Sequence, residues 1–256
     1  IGYTSVNFDL IYGLPFQTPE SIKDTFEKVI LLQPDRIAYY SYAHVPWKQK
    51  SQRAYSEEDL PQESEKDELY CIGKEMLQND GYLDVGMDHF AKETDELFIA
   101  KQEGRLHRNF MGYTTNQTSL MIGLGVSSIS DAYKGYWQNV KTIEEYYDML
   151  RQDRLPGFKS YFHTETDVVM RRHILDIACK GETSWLFSPA HDIIQEQLWN
   201  QLLDLEEDGL ILLEPNCLTL TDLGFSFIRN IAAVFDLKLA AIAGEKTETP
   251  MFSKAV

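Results

Sequence analysis

The apolar and polar positions at the start of the chain form a strand-like run followed by a helix-like stripe. Residues 7–15 read NFDLIYGLP, a mostly apolar run that fits a buried strand and ends in glycine and proline. In the segment after it, apolar side chains recur at Ile22, Phe26 and Val29, the spacing of one helix face. Thr18 and the proline after it predict the helix start, because threonine caps free backbone N–H groups and proline fits the first turn.

The next hundred residues repeat this alternation of strand and helix. A helical stripe covers about 62–79, and strand-like runs lie at 36–43, 82–90 and 120–130. Strands that alternate with helices predict an α/β fold with a parallel sheet. The units are too few to close an eight-stranded barrel. We therefore expect residues 1–132 to form one domain, an open part of such a barrel.

The pattern changes after this domain and becomes mostly helical. Residues 133–256 hold several helical stripes and one hairpin candidate at 211–221, which turns at Pro215-Asn216. Helices followed by a two-stranded hairpin predict a winged-helix-like second domain. Residues 165–256 carry seven Lys/Arg against fifteen Asp/Glu. A DNA-facing helix needs the opposite sign of charge, so a small packing domain is the better interpretation.

The composition excludes several classes of partner. The 256 residues hold 24 Lys and Arg against 40 Asp and Glu, a net charge of −16. This balance argues against a broad surface for nucleic acid or anionic membrane. No apolar stretch reaches the ~20 residues of a membrane span. The three cysteines lie far apart in sequence, which indicates neither a disulfide framework nor a metal knuckle and fits a reducing cytoplasm. They are Cys71, Cys179 and Cys217.

Asp9 is the first candidate for chemistry, because it interrupts an apolar strand. Side chains alternate along a strand, so Asn7, Asp9 and Ile11 share one face. The bulky residues between them should meet the helices, which would leave Asp9 pointing into the lumen of the sheet. A carboxylate there needs a hydrogen-bonding partner. Spacing alone leaves two interpretations open, a ligand contact and a structural hydrogen bond.

Polar groups near the ends of later strands give weaker candidates. Asp88, His89 and His107 would form a metal site only if they converged, and their spacing is no recognised ligand motif. Hydrogen-bonded wall residues are the simpler interpretation of both histidines, so we expect no metal ligands in this chain. Arg108 could bind an acidic substrate through its guanidinium, or form a salt bridge with one of the many carboxylates.

Five blocks of sequence, in order along the chain, resemble a known family. The chain is similar to the oxygen-independent coproporphyrinogen III oxidases, which are radical S-adenosylmethionine enzymes of haem biosynthesis. The resemblance implies the oxidative decarboxylation of two propionates of coproporphyrinogen III, giving protoporphyrinogen IX. The electron donor stays unknown. The blocks are NFDLIYGLPFQT, YSYAHVPW, GYLDVGMDHFA, LHRNFMGYTT and IGLGVSSIS.

The resemblance also implies that part of the enzyme lies outside this sequence. Family members hold a four-iron four-sulfur cluster on a C-x-x-x-C-x-x-C loop in an N-terminal half. No two cysteines here have that spacing. We therefore expect the chain to be the C-terminal portion of such an enzyme, inactive alone and prone to self-association, and the complete protein to be a monomer.

Several positions match family residues that bind S-adenosylmethionine. The resemblance implies cofactor contacts for Asp9, Ala43 and Ile129, with Asp9 near the other two. Phe110 falls in a stretch that contacts a second molecule of the cofactor. Met111 is a departure, because the family pattern has glutamine there and a thioether cannot replace its hydrogen bonds.

Charge alone suggests substrate contacts beside these positions. We expect His107 and Arg108 to meet the carboxylates of the substrate.

Two alternatives to the oxidase are a haem-binding chaperone of the same superfamily and a noncatalytic domain that packs on or regulates another chain. The chaperones generally lack the C-terminal helical extension and differ where LHRNFMGYTT stands here. Both features favour the oxidase.

Overall fold

The computed structural model describes residues 2–239, in two compact units. The described part of the first unit is 2–103 and that of the second is 104–239. The division therefore precedes the boundary expected at 132/133. The reason is strand pairing, because Ile129–Ala132 is hydrogen-bonded to Gly135–Asn139 and a boundary at 132 would cut this hairpin. No helix within the described residues is long and apolar enough to cross a membrane.

The first unit contains one mixed sheet covered by helices. Its strands are β1 (Asn7–Tyr12), β2 (Arg36–Ser41), β3 (Leu83–Gly86) and β4 (His89–Ala91), and its helices are α1 (Pro19–Leu32), α2 (Glu63–Asn79) and α3 (Glu96–Gln102). The strand order is β1-β2-β4-β3. The expectation of an α/β fold is confirmed, but the sheet is only partly parallel. β1 runs parallel to β2, whereas β4 is antiparallel to both of its neighbours.

The antiparallel part arises from a hairpin at 83–91, where the sequence pattern at 82–90 predicted a strand with its end loop. The chain reverses at Met87, whose φ of 47° lies in the left-handed region. Such a turn is usually marked by glycine or asparagine. Here Gly86 and Met87 carry it, so the reversal has a weak signal in the sequence. As a result Asp88 lies in the turn and His89 begins β4.

The core of the first unit lies between the sheet and α1 and α2. The expected start of α1 is confirmed, since the Thr18 side chain caps the backbone N–H of Ser21 and Pro19 is the first helical residue. Tyr39 on β2 is completely buried, and its hydroxyl donates to the carbonyl of Leu69 on α2 at 2.7 Å. The remaining buried members of this core are aliphatic and aromatic: Ile22, Phe26, Val29, Ile37, Leu69, Leu77, Tyr82 and Phe90.

The second unit contains more strand than the sequence suggested. Its strands are β5 (His107–Asn109), β6 (Gly112–Thr114), β7 (Leu120–Met121), β8 (Ile129–Ala132), β9 (Gly135–Asn139), β10 (Gly157–Phe162), β11 (Glu182–Ser184), β12 (Ile211–Glu214) and β13 (Cys217–Leu220). Strands β10-β9-β8-β7 form an antiparallel sheet, and β5 pairs with β6. The run at 120–130 therefore splits into β7 and β8, and the region after 133 is not helical at its start. In both regions the strands are short and lack a clear two-residue apolar period.

The helices and the hairpin in the rest of the second unit agree better with the elements predicted from the sequence. Its helices are α4 (Ile143–Arg151), α5 (Glu165–Lys180), α6 (His191–Ile193), α7 (Trp199–Glu207), α8 (Asp222–Ser226) and α9 (Ile228–Val234), with a π-helical turn at Ile194–Leu198 between α6 and α7. The expected hairpin is confirmed as β12 and β13, which turn at 215–216. A third strand, β11, extends it to the order β11-β13-β12.

His173 on α5 is the buried histidine of this unit. Its Nδ1 lies 2.8 Å from Thr183 Oγ1, and its Nε2 lies 3.0 Å from Ser188 Oγ. Burial holds the pKa of His173 below its ordinary value of 6.5. The charge of Arg172 lowers this pKa further, whereas Asp176 opposes the shift. The folded protein therefore keeps a neutral imidazole at a pH where the unfolded chain is protonated.

We expect the stability of the second unit to fall in mildly acidic solution. Below pH 6.5 the unfolded chain takes up a proton at His173 that the folded state refuses, so the free energy of unfolding falls by up to ~1.4 kcal/mol per pH unit. Urea unfolding between about pH 7.5 and 5.5 measures this slope. His173→Gln should flatten it, and His191→Gln, at a partly exposed site, should not. Equal slopes in wild type and His173→Gln would contradict the assignment.

Candidate cofactor and substrate site

Asp9 lies on the face of the first sheet that the helices leave open. Along β1 the side chains of Phe8, Leu10 and Tyr12 pack against the core, while the alternate positions are exposed. This confirms the expected alternation. The Nδ2 group of Asn7 donates to Asp9 Oδ1 at 2.8 Å. Asn7 thus orients one carboxylate oxygen of Asp9. The carboxylate is exposed to solvent, where it can accept hydrogen bonds from hydroxyl or ammonium groups.

The sheet face that carries Asp9 continues through Ala38, which is buried, to the half-buried His89. Asp9 pairs with Ala38 on β2, and Ala38 pairs with His89 on β4. Partners directly opposite share a face, so the carboxylate and the imidazole stand on the same side, two strands or roughly 10 Å apart. The ring of His89 meets that of Tyr40 edge-on, with centroids 5.9 Å apart. The sequence alone does not show that Asp9 and His89 share a sheet face, because this depends on the order of the strands.

The loop that leaves β1 is held by one amide side chain. The Oε1 atom of Gln17 accepts from the backbone N–H of Gly13 at 2.7 Å and of Leu14 at 3.2 Å. Its Nε2 donates to the carbonyl of Ile11 at 3.1 Å. Gly13 has a φ of 81° and lies against the side chain of Lys66. Gln17 therefore fixes the carboxyl end of β1, the end at which α/β sheets place their ligands.

Ala43 follows β2 at this same end of the sheet and is exposed. Its carbonyl accepts from Gln52 Nε2 at 3.1 Å. The hydroxyls of Tyr42 and Tyr55 lie 2.6 Å apart, and burial with this hydrogen bond raises the pKa of Tyr42 well above its ordinary value. The ring of His44 lies against both tyrosines, with centroids at 6.2 and 5.7 Å. Ala43 is thus a small residue in a loop whose neighbouring side chains, Tyr42, His44 and Tyr55, contact one another through their rings.

In the second unit, Phe110 and Met111 form the turn between β5 and β6. The Phe110 side chain is 48% exposed and that of Met111 is 81% exposed. The backbone N–H of Met111 donates to Asn109 Oδ1 at 2.8 Å, which closes the turn. The ring of Phe110 meets the ring of Tyr136 edge-on at a centroid distance of 4.8 Å. Phe110 therefore rests on the β7–β10 sheet, whereas Met111 points to solvent.

Ile129 lies on the same face of this sheet as the Phe110 contact. Ile129 and Asp131 are two residues apart on β8, and Asp131 pairs directly with Tyr136 on β9. All three side chains therefore share one face. The turn before Ile129 is fixed by the buried Asn139, whose Nδ2 donates to the carbonyl of Gly125 at 2.8 Å. Two positions that the resemblance links to the cofactor, Phe110 and Ile129, thus lie on the same face of this sheet.

An ion pair lies beneath these positions. Arg171 on α5 donates from both terminal nitrogens to Asp131, at 2.9 and 2.5 Å. Its guanidinium carbon is 5.3 Å from the Tyr136 ring centroid. The ring of His163 meets Tyr136 from another side at 4.4 Å. We call Phe110, Asp131, Tyr136, His163 and Arg171 the Tyr136 cluster. No local pattern in the sequence indicates this cluster, because the ion pair joins positions 40 residues apart.

His107 and Arg108, expected together at the substrate, point to opposite faces of β5. Burial lowers the pKa of His107, and the Arg171 charge lowers it further against the effect of Asp131. His107 is therefore a neutral imidazole near the Tyr136 cluster.

Arg108 lies on the side of α5. Its guanidinium carbon is 5.0 Å from the ring centroid of Tyr113, whose hydroxyl donates to the Ala178 carbonyl at 2.7 Å. The two side chains therefore lie on opposite sides of β5, since adjacent strand residues face opposite ways.

The cysteines do not fit the ligation of an iron–sulfur cluster. Cys71 lies on α2, Cys179 on α5 and Cys217 on β13. Such a cluster needs three thiolates close together. Burial raises the pKa of Cys179 to about 12, which keeps it a thiol. Within residues 2–239, no three His, Cys, Asp or Glu side chains are arranged to hold a metal ion.

Comparisons with known proteins identify the family. No family model matches the chain. It is 38% identical to the oxygen-independent coproporphyrinogen III oxidase of Synechocystis sp. over 99% of the chain and 56% of that protein. It is 37% identical to the enzyme of the same name from Escherichia coli K12, over 100% of the chain and 56% of the relative.

A solved structure agrees with these relatives. Coproporphyrinogen III oxidase from Escherichia coli, described as a radical SAM enzyme, superposes with a TM-score of 0.87 at 37% identity. The match covers 93% of this chain and 56% of that one. The chain thus spans slightly more than half the length of the relatives it matches. Sequence and fold agree along nearly its whole length, and the chain belongs to the oxygen-independent coproporphyrinogen III oxidase family.

Proposed function

We propose that the complete protein containing this chain converts coproporphyrinogen III to protoporphyrinogen IX in the cytoplasm. The match of nearly the whole chain to oxidases of this name carries the proposal. Each of two propionate side chains would lose a hydrogen atom and carbon dioxide to become a vinyl group, and would pass one electron to a one-electron acceptor separate from this chain. S-adenosylmethionine, with a reduced four-iron four-sulfur cluster, would supply the radical that takes the hydrogen atom. The cluster ligands would come from the part of the protein outside this sequence.

The open face of the first unit fits a cofactor with hydroxyl and ammonium groups. Asp9 is exposed there, with one oxygen held by Asn7 at 2.8 Å. A carboxylate accepts charge-assisted hydrogen bonds from both kinds of donor. We propose that Asp9 binds S-adenosylmethionine and that Ala43 leaves room for it at the strand ends. In this proposal, β1 and β2 belong to an open partial barrel whose concave side is the Asp9 face.

The second unit would supply apolar contacts. Phe110 and Ile129 share one sheet face and could exclude water from a reacting centre. His107, as a neutral imidazole, would donate one N–H hydrogen bond to a substrate carboxylate. Met111, at the exposed turn, cannot make the hydrogen bonds of an amide. The three-stranded sheet β11-β13-β12 with its helices supports a winged-helix-like packing domain in this unit.

Replacing Asp9 in the complete enzyme tests the proposal. Asp9→Asn keeps the shape of the side chain but removes its charge, so S-adenosylmethionine binding should weaken roughly 10- to 100-fold. Turnover at fixed cofactor concentration should fall with it. Equilibrium dialysis measures the affinity, and product formation from coproporphyrinogen III measures the turnover.

The control is Asp24→Asn, which removes an exposed carboxylate on α1 that pairs with Lys28 in the next turn. That variant should bind the cofactor like wild type. Circular dichroism and iron content should be unchanged in both variants. Unaltered cofactor affinity in Asp9→Asn would make Asp9 a structural partner of Asn7. Absence of porphyrinogen conversion by the wild-type complete protein would refute the function itself.

A further inference from the structure

The Tyr136 cluster joins three elements of the second unit beneath Phe110. Its base is the ion pair between Asp131 on β8 and Arg171 on α5. The Asp131 side chain is 11% exposed and that of Arg171 is 24% exposed. A carboxylate this buried depends on its cation, and the two-pronged hydrogen bond fixes the plane of the guanidinium. The pair therefore gives Arg171 a single orientation.

Arg171 in turn presents its guanidinium to the ring of Tyr136 at 5.3 Å. His163 meets the same ring edge-on at 4.4 Å. His163 is itself anchored, because its Nδ1 lies 3.2 Å from the Tyr133 carbonyl and its backbone N–H donates to the Lys134 carbonyl at 2.9 Å. Tyr136 is thus held by a cation on one side and an anchored ring on another. Cation–π and aromatic contacts of this kind are each worth roughly 1 kcal/mol.

Phe110 has less support of its own. It lies in the turn of a hairpin whose strands have three residues each, and nearly half of its side chain is exposed. Its ring contacts Tyr136 at 4.8 Å. The turn hydrogen bond from Met111 to Asn109 fixes the backbone but not the rotation of the Phe110 side chain. The direction of the ring is therefore set by Tyr136.

We infer that Asp131, Tyr136 and Arg171 are positioning residues that fix the Phe110 ring for its contact with cofactor or substrate. The inference rests on the proposed function, and it extends the site from the turn into α5. None of the three needs to touch the ligand. The ion pair orients Arg171, Arg171 orients Tyr136, and Tyr136 orients Phe110.

The first test uses the 256-residue chain and no cofactor. A 4-fluorophenylalanine at position 110 reports the ring environment by fluorine NMR, and hydrogen exchange reports the backbone of 109–113. Arg171→Gln and Asp131→Asn each break the ion pair. Both should shift the fluorine signal towards that of a solvated ring and speed amide exchange in the turn about tenfold, the loss of one charged hydrogen bond.

The matched control is Arg172→Gln, which removes the neighbouring, 69% exposed arginine from the same helix. It should leave the fluorine signal unchanged. Tyr136→Phe keeps the ring and should also preserve the signal, whereas Tyr136→Leu should move it as far as Arg171→Gln does. An unmoved signal in Arg171→Gln, or an equal shift in Arg172→Gln, would overturn the inference.

The second test uses the complete enzyme. Arg171→Gln should raise KM for the cofactor or substrate or lower kcat about tenfold, with unchanged iron content, and Tyr136→Phe should retain activity. Wild-type turnover in Arg171→Gln, despite a displaced ring, would refute the role in positioning for the reaction. An inactive wild-type enzyme would refute the proposed function, while the fluorine experiment would still decide whether the ion pair orients Phe110.

Discussion

Gly224→Ala is expected to destabilise the second unit by about 3 kcal/mol, although alanine is the better helix former. A Cβ atom at Gly224 would lie 1.9 Å from the carbonyl oxygen of Leu210. Two hydrogen bonds hold that oxygen in place. It accepts one from the backbone N–H of Thr221 at 3.1 Å and one from the Thr221 hydroxyl at 3.2 Å. The same threonine caps α8 through the N–H of Gly224. The clash therefore disturbs the helix start and the strand connection together.

Thermal unfolding followed by circular dichroism measures this effect, which corresponds to a melting temperature lower by roughly 10 °C. The matched control is Ser226→Ala on the same short helix, where the side chain is exposed. That variant should melt within about 1 °C of wild type, as surface substitutions usually do. A Gly224→Ala protein as stable as Ser226→Ala would show that α8 can move away from Leu210.

Gly73→Val is expected to have a comparable effect on the first unit. A Cβ atom at Gly73 would lie 2.5 Å from Tyr39 Cε1 and 2.6 Å from Phe26 Cε2. Both rings are fully buried, and they meet edge-on with centroids 4.9 Å apart. The hydroxyl of Tyr39 is also tied to the Leu69 carbonyl on the same helix. Valine would have to separate α2 from the sheet, at a cost of about 3 kcal/mol.

Urea unfolding followed by tyrosine fluorescence checks this prediction. Glu75→Val places the same side chain two residues away at an exposed position of α2. Its helix-propensity change is slightly unfavourable and it introduces no clash, whereas the propensity change of Gly73→Val is favourable, because glycine is the poorer helix former. A larger destabilisation in Gly73→Val than in Glu75→Val is therefore a packing cost. Equal urea midpoints for Gly73→Val and Glu75→Val would mean that the rings of Tyr39 and Phe26 can move to accommodate a larger residue.

The fold could be predicted where local signals and the hydrophobic period agree. Thr18 and Pro19 marked the start of α1 correctly, and Pro215-Asn216 marked the turn between β12 and β13. The reversal at Met87 was missed, because a left-handed methionine gives no turn signal. Likewise the antiparallel pairing of β8 to β10 was missed, because these strands are short and lack a clear two-residue apolar period. The reversal at Met87 is what makes the first sheet mixed rather than parallel.

The candidate site could be predicted only one residue at a time. Asp9 was placed on the open face because a strand has a strict two-residue period. Its alignment with His89 depends on strand order, which the sequence does not reveal. Their charge suggested His107 and Arg108 as joint contacts for a substrate carboxylate. Because the two residues are adjacent on β5, their side chains face opposite sides of the strand. Arg171 gave no signal at all, because a salt bridge between distant elements follows from tertiary packing.

The place of β1 at the end of the strand order has a consequence for handling the chain. Its outer backbone groups form a template for strand addition, and natural sheets usually protect such a border with lysine, proline or a bulge. Residues Asn7–Tyr12 contain none of these, and Asp9 is their sole charge. The net charge of −16 acts at long range and is screened by salt. Added salt should therefore promote oligomers joined by main-chain pairing along β1, and dilute, low-salt buffer is the condition that keeps the chain dispersed.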